Sequence, residues 1–187
     1  LSIRRQRQMC IRDRNNIMPS PRGELEISDA HQYLIDAGYK ISFSEITGWW
    51  KDTGKPYDLL EANRLILDNM MPEINGEIDA NSLAIGKVKL GKGSKLINST
   101  VRGPAIIGDN TIIENGYIGP YTSIANHCLI KNSEVEYSII LDECKIIDVD
   151  IRVEHSLLGN DVEIIKVHSK PATNRFLIGD QSRIELL

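Results

Sequence analysis

The sequence comprises 187 residues with a formal net charge of −4, which leaves room for one domain or two small ones. The excess negative charge argues against binding to duplex nucleic acid or to an anionic membrane, and no apolar run approaches the roughly 20 residues of a membrane span. The three cysteines, Cys10, Cys128 and Cys144, lack metal-binding spacing, and their odd number argues against a disulfide framework. We therefore expect a protein of a reduced, cytoplasmic compartment.

The start of the chain differs in composition from the remainder. Residues 1–14 carry five arginines against the single aspartate Asp13, whereas the rest of the chain is acidic. This segment also lacks the apolar centre of a secretory signal. We interpret residues 1–14 as a non-native leader and expect the native chain to have been cut before residue 15.

A first helix and a short strand are predicted next. Ser28 is a suitable N-cap, apolar residues follow it at helical spacing, and Gly38 is a suitable stop. Residues 40–46 alternate apolar side chains with serines, which predicts a short strand. These two elements precede a segment of unusual composition.

That segment, residues 48–56, reads Gly-Trp-Trp-Lys-Asp-Thr-Gly-Lys-Pro and contains both tryptophans of the chain. An aromatic surface beside a carboxylate can hold a ring together with a metal ion or a hydroxyl group. The alternative interpretation is a buried tryptophan pair, with Asp52 serving as a turn or helix cap. The residues alone leave both interpretations open.

A second helix is predicted directly after this segment. Pro56 suits its first turn, and leucine and isoleucine side chains continue at helical spacing to about Asn69, before the Met71-Pro72 pair ends it. The elements up to this point are too few to bury a stable core alone. We interpret residues 15–72 as the C-terminal end of an α/β domain.

From Ser99 onward, a small or short polar residue is repeatedly followed, two positions later, by an aliphatic one. The aliphatic residues are spaced 6, 5, 6, 6, 6, 5, 5 and 6 residues apart, which fits neither a helix nor an ordinary strand. The pairs are Ser99/Val101, Ala105/Ile107, Asn110/Ile112, Gly116/Ile118, Thr122/Ile124, Cys128/Ile130, Ser133/Val135, Ser138/Ile140 and Cys144/Ile146.

A repeat near six predicts a parallel β-helix over residues 73–187, with the aliphatic residues stacked inside. Cys128 and Cys144 take small inward positions, so we expect them to be buried rather than reactive. Residues 148–153 break the rule and predict a bulge or loop. Ser156/Leu158 and Ser182/Ile184 indicate that the repeat resumes.

Three motifs precede this repeat: Arg-Gly-Glu-Leu-Glu-Ile-Ser-Asp at 22–29, Gly-Trp-Trp-Lys-Asp-Thr-Gly at 48–54 and Leu-Leu-Glu-Ala-Asn at 59–63. Together with the repeat they resemble the C-terminal half of the sugar-1-phosphate nucleotidyltransferases, in particular the long glucose-1-phosphate thymidylyltransferases. The resemblance covers about residues 17–187. It implies a remnant of a Rossmann-like nucleotidyltransferase domain followed by a left-handed parallel β-helix.

The resemblance also implies roles for four residues. Asp52 would help to bind Mg²⁺, Trp50 would lie against the sugar, and Arg22 would face the sugar phosphate. Ser28 takes a position that is usually threonine in the family and keeps the hydroxyl that contacts the sugar. Arg22 and Asp52 are thus the expected catalytic pair, and Arg22, Ser28 and Trp50 the expected substrate contacts.

The implied reaction joins a sugar 1-phosphate to a nucleoside triphosphate and releases pyrophosphate, with dTTP and glucose 1-phosphate as the expected substrates. UTP stays open as the nucleotide. The chain departs from the family because it contains no glycine-rich nucleotide loop before residue 48 and no second metal aspartate, so we expect it to be inactive by itself. A homo-oligomer formed through the β-helix is expected, either as a trimer or by stacking of sheets.

Two other functions fit a hexapeptide β-helix. In an acyltransferase, a histidine at a subunit seam would deprotonate the acceptor, and the candidates are His127, His155 and His168. His127 adjoins the inward Cys128, so we expect its side chain to be exposed. The second alternative is a non-catalytic role in assembly or regulation.

Overall fold

The computed structural model describes residues 17–21, 23, 25–42, 44–45, 47–48, 50–51, 53–171, 173–180 and 182–186. The chain divides into two compact units, and the boundary falls between Trp50 and Lys51. The second predicted helix therefore belongs to the same unit as the β-strands. Within the described part, no helix has the length and apolar character needed to cross a membrane.

In the first unit, helix α1 spans Ile27–Asp36 and Gly38, at φ 80°, ends the helical segment as predicted. The predicted N-cap was wrong, because Glu26 takes the extended N-cap conformation (φ −84°, ψ 136°) and Ser28 lies inside the first turn. The strand predicted over 40–46 is also absent from the described residues of that range. Alternation over so few residues is a weak signal without a neighbouring strand to pair with.

Helix α2 spans Pro56–Asp68, with Asn69 as its C-cap, so the prediction from Pro56 is confirmed. Proline fits the first turn because its missing N–H would have no partner there. A carboxylate oxygen of Asp58 accepts the backbone N–H of Lys55 at 3.0 Å, which satisfies one of the unpaired donors at the helix start.

Beyond α2, the described chain forms seventeen short strands. In chain order they are β1 (Glu73–Ile74), β2 (Glu77–Ile78), β3 (Leu83–Ile85), β4 (Val88–Leu90), β5 (Lys95–Ile97), β6 (Thr100–Arg102), β7 (Ala105–Ile107), β8 (Ile112–Glu114), β9 (Tyr117–Ile118), β10 (Thr122–Ile124), β11 (Leu129–Lys131), β12 (Glu134–Glu136), β13 (Ile139–Ile140), β14 (Lys145–Ile147), β15 (Val153–Glu154), β16 (Leu157–Leu158) and β17 (Glu163–Ile165).

These strands form three parallel sheets, each taking every third strand. Face A has the order β1-β4-β7-β10-β13-β16, face B has β17-β14-β11-β8-β5-β2, and face C has β15-β12-β9-β6-β3. Every pairing is parallel, and equivalent positions of successive coils lie 16 to 18 residues apart. This is the triangular parallel β-helix of the left-handed hexapeptide class that the spacing and the resemblance predict.

The core is a column of stacked aliphatic side chains enclosed by the three faces. Val101, Ile118 and Val135 line face C, and Ile130 and Ile146 line face B, all at 0% exposure. One predicted pair was wrong, since the buried pair at the start of β8 is Thr111/Ile113, with Thr111 directly before the strand, rather than Asn110/Ile112. Either pair satisfies the rule of a small residue followed two positions later by an aliphatic one. A shift of one residue along a strand turns its inward-facing side chains outward.

The short polar residues of the repeat also carry hydrogen bonds between coils. The Ser94 hydroxyl accepts the N–H of Thr111 at 2.9 Å, and the Thr111 hydroxyl accepts the N–H of Cys128 at 3.0 Å. Ser82 accepts the N–H of Ser99 in the same way at 2.9 Å. No buried side-chain nitrogen or oxygen of the described residues lacks a partner. Hydroxyls are therefore favoured here because they satisfy backbone donors as well as because they are small.

The predicted irregularity at 148–153 is present, since β15 begins only at Val153 and the coil there is lengthened to a separation of 18 residues. Ser156/Leu158 resumes the repeat as β16, as predicted. Ser182/Ile184 does not, because no described residue after Ile165 lies in a strand.

Candidate functional site

The four predicted sugar-phosphate and metal residues are only partly covered by the structure. Arg22 and Asp52 lie outside the described residues. Ser28 is exposed on the first turn of α1, and Trp50 is 70% exposed. The exposure of Trp50 disagrees with the alternative of a buried tryptophan pair and leaves its ring available to a ligand.

The magnesium prediction rests on Asp52 alone. Among the residues that the structure describes, no group of three or more His, Cys, Asp or Glu side chains could hold a metal ion. A carboxylate is a suitable ligand for Mg²⁺, which commonly takes one or two protein carboxylates and completes its shell with water and substrate phosphate oxygens. Magnesium binding by Asp52 therefore stays a prediction.

Lys51 and Lys55, which flank residues 52–54 in the sequence, both contact Asp58 in the first turn of α2. Lys51 Nζ lies 3.3 Å from an oxygen of Asp58, and the same carboxylate accepts the backbone N–H of Lys55. Asp58 therefore holds Lys51 and Lys55 against the first turn of the helix. Both side chains are partly exposed, so this arrangement orders the segment more than it stabilises the fold.

Helix α2 lies on the outer side of face A. The side chain of Asn63 donates to the carbonyl oxygen of Tyr121 at 3.1 Å and accepts the hydroxyl of Ser123 at 2.7 Å. Leu60 and Leu67, on the same side of the helix, are 4% and 0% exposed. An apolar stripe with one amide in its centre thus fixes both the position and the rotation of α2 on the β-helix.

A second contact joins the helix to a corner of the β-helix. The Tyr137 hydroxyl donates to one carboxylate oxygen of Glu61. The other oxygen of this carboxylate lies 3.5 Å from Arg64 Nε. Burial, followed by this hydrogen bond, raises the pKa of Tyr137 to about 12. The same bond is the main cause that lowers the pKa of Glu61.

At the other end of the helix, Lys87 Nζ donates to the backbone carbonyl oxygen of Asp68 at 2.6 Å. A cation at the C-terminus of a helix is favourable because the last carbonyls carry partial negative charge. Contacts from Glu61 to Asp68 therefore connect α2 to several successive coils.

The corner between faces C and A carries a stack of rings. Tyr121 and Tyr137 meet edge to face at 5.8 Å between centroids, and Tyr137 and His155 lie 4.6 Å apart. All three residues have positive φ, and each precedes a small inward residue. The sequence interpretation missed this stack, although a large ring directly before Thr122, Ser138 and Ser156 was a visible signal.

Of the three histidines considered for acyl transfer, His155 belongs to this stack of rings through its contact with Tyr137. His127 is exposed, as predicted, and its backbone N–H donates to the carbonyl of Asp109 at 2.9 Å. His155 packs on Tyr137 and lies 3.3 Å from Glu154, while His168 is exposed beyond the last strand. Among the described residues, His155 is the one of the three whose Nδ1 faces a carboxylate, which is the kind of contact that can orient an imidazole as a base.

The cysteine predictions are confirmed for the two residues that the structure describes. Cys128 and Cys144 are free and buried, and their thiols donate to the carbonyl oxygens of Leu141 at 3.1 Å and Gly159 at 2.9 Å. Burial raises the pKa of Cys128 to about 11 and also raises the pKa of Cys144. Both thiols are therefore structural. Cys10 lies outside the described residues.

Comparison with known proteins agrees with this architecture. Residues 6–69 match the family model for nucleotidyl transferases, so the match begins within residues 1–14 and ends at the C-cap of α2. The chain is 45% identical over 170 residues to glucose-1-phosphate thymidylyltransferases of Streptomyces antibioticus and Streptomyces griseus, which is 91% of this chain and 48% of each relative. It is 37% identical over 171 residues to the low-salt glycan biosynthesis nucleotidyltransferase Agl11 of Haloferax volcanii, covering 90% of this chain and 48% of that protein.

Residues 6–69 are thus similar to the nucleotidyl transferase family, and a parallel β-helix follows them. Over most of its length the chain is similar to the glucose-1-phosphate thymidylyltransferases, which confirms the predicted resemblance. The chain spans about half the length of the curated relatives it matches.

Proposed function

We propose that the protein containing this chain is a sugar-1-phosphate nucleotidyltransferase that forms dTDP-glucose and pyrophosphate from dTTP and glucose 1-phosphate. The observation that carries the proposal is the 45% identity, over 91% of this chain, to proteins named glucose-1-phosphate thymidylyltransferase. The Trp-Trp-Lys-Asp-Thr-Gly segment supports it, because the exposed ring of Trp50 comes two residues before Asp52 in the sequence.

The proposed roles follow the chemistry of two reacting phosphate groups. Arg22 binds the sugar phosphate, for which a guanidinium offers two parallel hydrogen bonds. Trp50 lies against the sugar ring, and the Ser28 hydroxyl contacts a sugar hydroxyl. Asp52 would hold Mg²⁺, which when bound offsets the repulsion between the sugar phosphate and the triphosphate. These residues bind and orient, and such positioning accounts for much of the catalysis of phosphoryl-group transfer.

We also propose that the protein is a cytoplasmic homo-oligomer assembled through the β-helix. Support for a reduced compartment comes from the two free, buried thiols of Cys128 and Cys144. Support for assembly comes from the class of the fold, since solenoids offer long flat faces to partners.

The test is a pyrophosphate-release assay of the full natural gene product with glucose 1-phosphate and either dTTP or UTP. We expect Mg²⁺-dependent turnover that favours dTTP, and we expect Asp52→Asn to abolish it, by about a thousandfold or more, with a nearly unchanged Tm. The matched control is Asp36→Asn, since that carboxylate lies at the end of α1 and accepts a hydrogen bond from Gln32.

Turnover of the Asp52→Asn protein at the natural rate would remove Asp52 from the site. Absence of turnover with either nucleotide in the natural protein would refute the proposed reaction. The 187-residue chain by itself is expected to show no turnover, because it has no glycine-rich nucleotide loop before residue 48.

A further inference from the structure

The last residues of the sequence repeat a coil of the β-helix. Residues 176–185 read Phe-Leu-Ile-Gly-Asp-Gln-Ser-Arg-Ile-Glu, and residues 105–114 read Ala-Ile-Ile-Gly-Asp-Asn-Thr-Ile-Ile-Glu. The second of these segments forms β7, a corner and β8. The aliphatic, glycine, acidic and small hydroxyl positions coincide, so residues 176–185 have the sequence of a strand on face A followed by a strand on face B.

In the structure, the described residues of this segment are not paired with another strand. No described residue of 166–186 lies in a strand, and Leu177 is 103% exposed. Ile178 and Ile184, which occupy the positions that are buried in the other coils, are 60% and 48% exposed. Aliphatic side chains at inward positions of a coil lose their stabilising burial when the coil is detached.

The last coil offers a matching edge. Strands β16 and β17 each pair with one neighbour and are the final strands of faces A and B. Along the helix, backbone N–H groups of one coil donate to carbonyls of the next, as from Leu141 to Leu158 at 3.1 Å and from Lys145 to Val162 at 2.9 Å. If the same pattern continued by one coil, the Gly159 N–H would donate to the carbonyl oxygen of Ile178. The Glu163 N–H would donate to the carbonyl oxygen of Ser182.

The side chains match at the same register. On face B, Lys145 pairs with Glu163 at 2.7 Å, and Arg183 takes the next position of that column. In the structure, Arg183 instead pairs with Glu185 within its own segment and is 85% exposed. A guanidinium next to Glu163 would extend the alternation of charge across the sheet.

A second column continues through the corner between faces A and B. The side-chain oxygens of Asn126, Asp142 and Asn160 each accept the backbone N–H of the equivalent residue in the preceding coil, at 2.7, 2.9 and 3.2 Å. Asp180 occupies the next position of this column, and its side chain also carries an oxygen that can accept a backbone N–H. Two independent side-chain columns therefore select one register for residues 177–185.

The connecting chain is long enough for docking on the same molecule. Residues 148–156 join β14 on face B to β16 on face A by way of face C. Residues 166–176 would make the equivalent connection from β17 and are slightly more numerous. No second copy of the chain is needed to supply the strand.

We propose that residues 177–185 dock onto β16 and β17 of their own chain as the first two strands of a seventh coil, which closes the open end of the β-helix. Ile178 and Ile184 then cover Leu158 and Ile164, Arg183 pairs with Glu163, and Asp180 accepts the N–H of Asn160. Capping of this kind shields the last core residues and the sheet edges from solvent and from other strands.

Hydrogen exchange of the intact chain, read residue by residue by NMR, tests this proposal. We expect the amides of Gly159 and Glu163 to exchange about a hundredfold or more below their intrinsic rates. Exchange of both amides at the intrinsic rate would overturn the proposal. Protection that increases with protein concentration would also overturn it, because the strand would then come from a second copy.

Variants separate docking from general stability. Ile184→Asp should restore fast exchange at Gly159 and Glu163, whereas Leu186→Asp, a matched change at a 63% exposed leucine outside the repeat, should not. Arg183→Glu should speed the exchange of Glu163 without affecting the inner coils, and adding Glu163→Arg should slow it again. Equal exchange in Arg183→Glu and the natural chain would refute the proposed register.

Discussion

Glu61 and Tyr137 are 76 residues apart in the sequence and share one hydrogen bond between α2 and a corner of the β-helix. The bond is strongest when an ionised carboxylate is the acceptor, and it needs a neutral phenol as the donor. Because the pKa of Tyr137 is raised to about 12, the phenol stays neutral, and its contribution is lost only as pH rises through that value. Below that pH, the change that weakens the contact is protonation of the Glu61 carboxylate in acid.

At the residue scale, we predict that Glu61→Gln removes part of the acid sensitivity of the second unit. The pKa of Glu61 is lowered from its ordinary value of 4.5 in the folded state. The stabilisation is therefore complete above that value and is lost as pH falls through the folded pKa. Urea midpoints followed by circular dichroism between about pH 3 and pH 7 should show a steeper acid limb for the natural chain than for the variant.

The matched control for that measurement is Glu77→Gln, because Glu77 pairs with Lys95 at 3.1 Å on face B, away from α2. It should keep the acid limb of the natural chain. An identical acid limb in Glu61→Gln and the natural chain would show that the contact with Tyr137 contributes nothing to stability.

At the scale of the element, the corner between faces B and C is held by a ladder of amides. Asn98 donates to Asn115 at 2.8 Å, Asn115 donates to Asn132 at 3.1 Å, and Asn132 donates to Asp148 at 2.5 Å. Their φ values, 48°, 49°, 46° and 57°, lie in the left-handed region, which asparagine and aspartate tolerate better than most residues. A carboxylate ends the ladder because it only accepts.

We predict that Asn115→Ala lowers the free energy of unfolding by about 1–3 kcal/mol, because it removes two side-chain hydrogen bonds and places a Cβ-bearing residue without a local partner at positive φ. Asn115→Gly should cost about 1 kcal/mol less, since glycine adopts this conformation freely. Urea denaturation of both variants gives the comparison. Equal losses for alanine and glycine would assign the whole effect to the hydrogen bonds.

At the scale of the whole molecule, the second unit behaves as a one-dimensional stack in which each coil contacts its neighbours and α2 crosses several of them. Ile130 sits in the middle of the stack at 0% exposure, paired on both sides through Ile113 and Ile146. Neither neighbour can move into a vacated position without breaking its own sheet pairing. A cavity there is therefore poorly relieved.

We predict that Ile130→Ala lowers the free energy of unfolding of this unit by about 2–5 kcal/mol in urea denaturation. Ile151→Ala is the matched control, because Ile151 is 52% exposed in the irregular segment before β15, and it should stay within about 0.5 kcal/mol of the natural chain. Similar losses in the two variants would contradict the assignment of Ile130 to the core column.

The parts of the fold that the sequence predicted are those governed by local periodicity. The spacing near six identified the inward residues from Val101 to Ile146, and proline and glycine marked the start of α2 and the end of α1. The error at 110–113 arose because Asn110 and Thr111 are both short and polar, and Ile112 and Ile113 are both aliphatic. Only stacking of Ile113 between Leu96 and Ile130 selects the register.

The sequence by itself determined the β-helix and its buried column, because a coil repeats the same backbone geometry and therefore demands the same residue types at fixed intervals. It also supplied the family resemblance, through motifs that are short and contiguous. Only the tertiary structure decided that α2 lies on face A, through Asn63 with Ser123 and Glu61 with Tyr137. These partners are 60 and 76 residues apart, and no local pattern links residues that meet only after the coils have stacked.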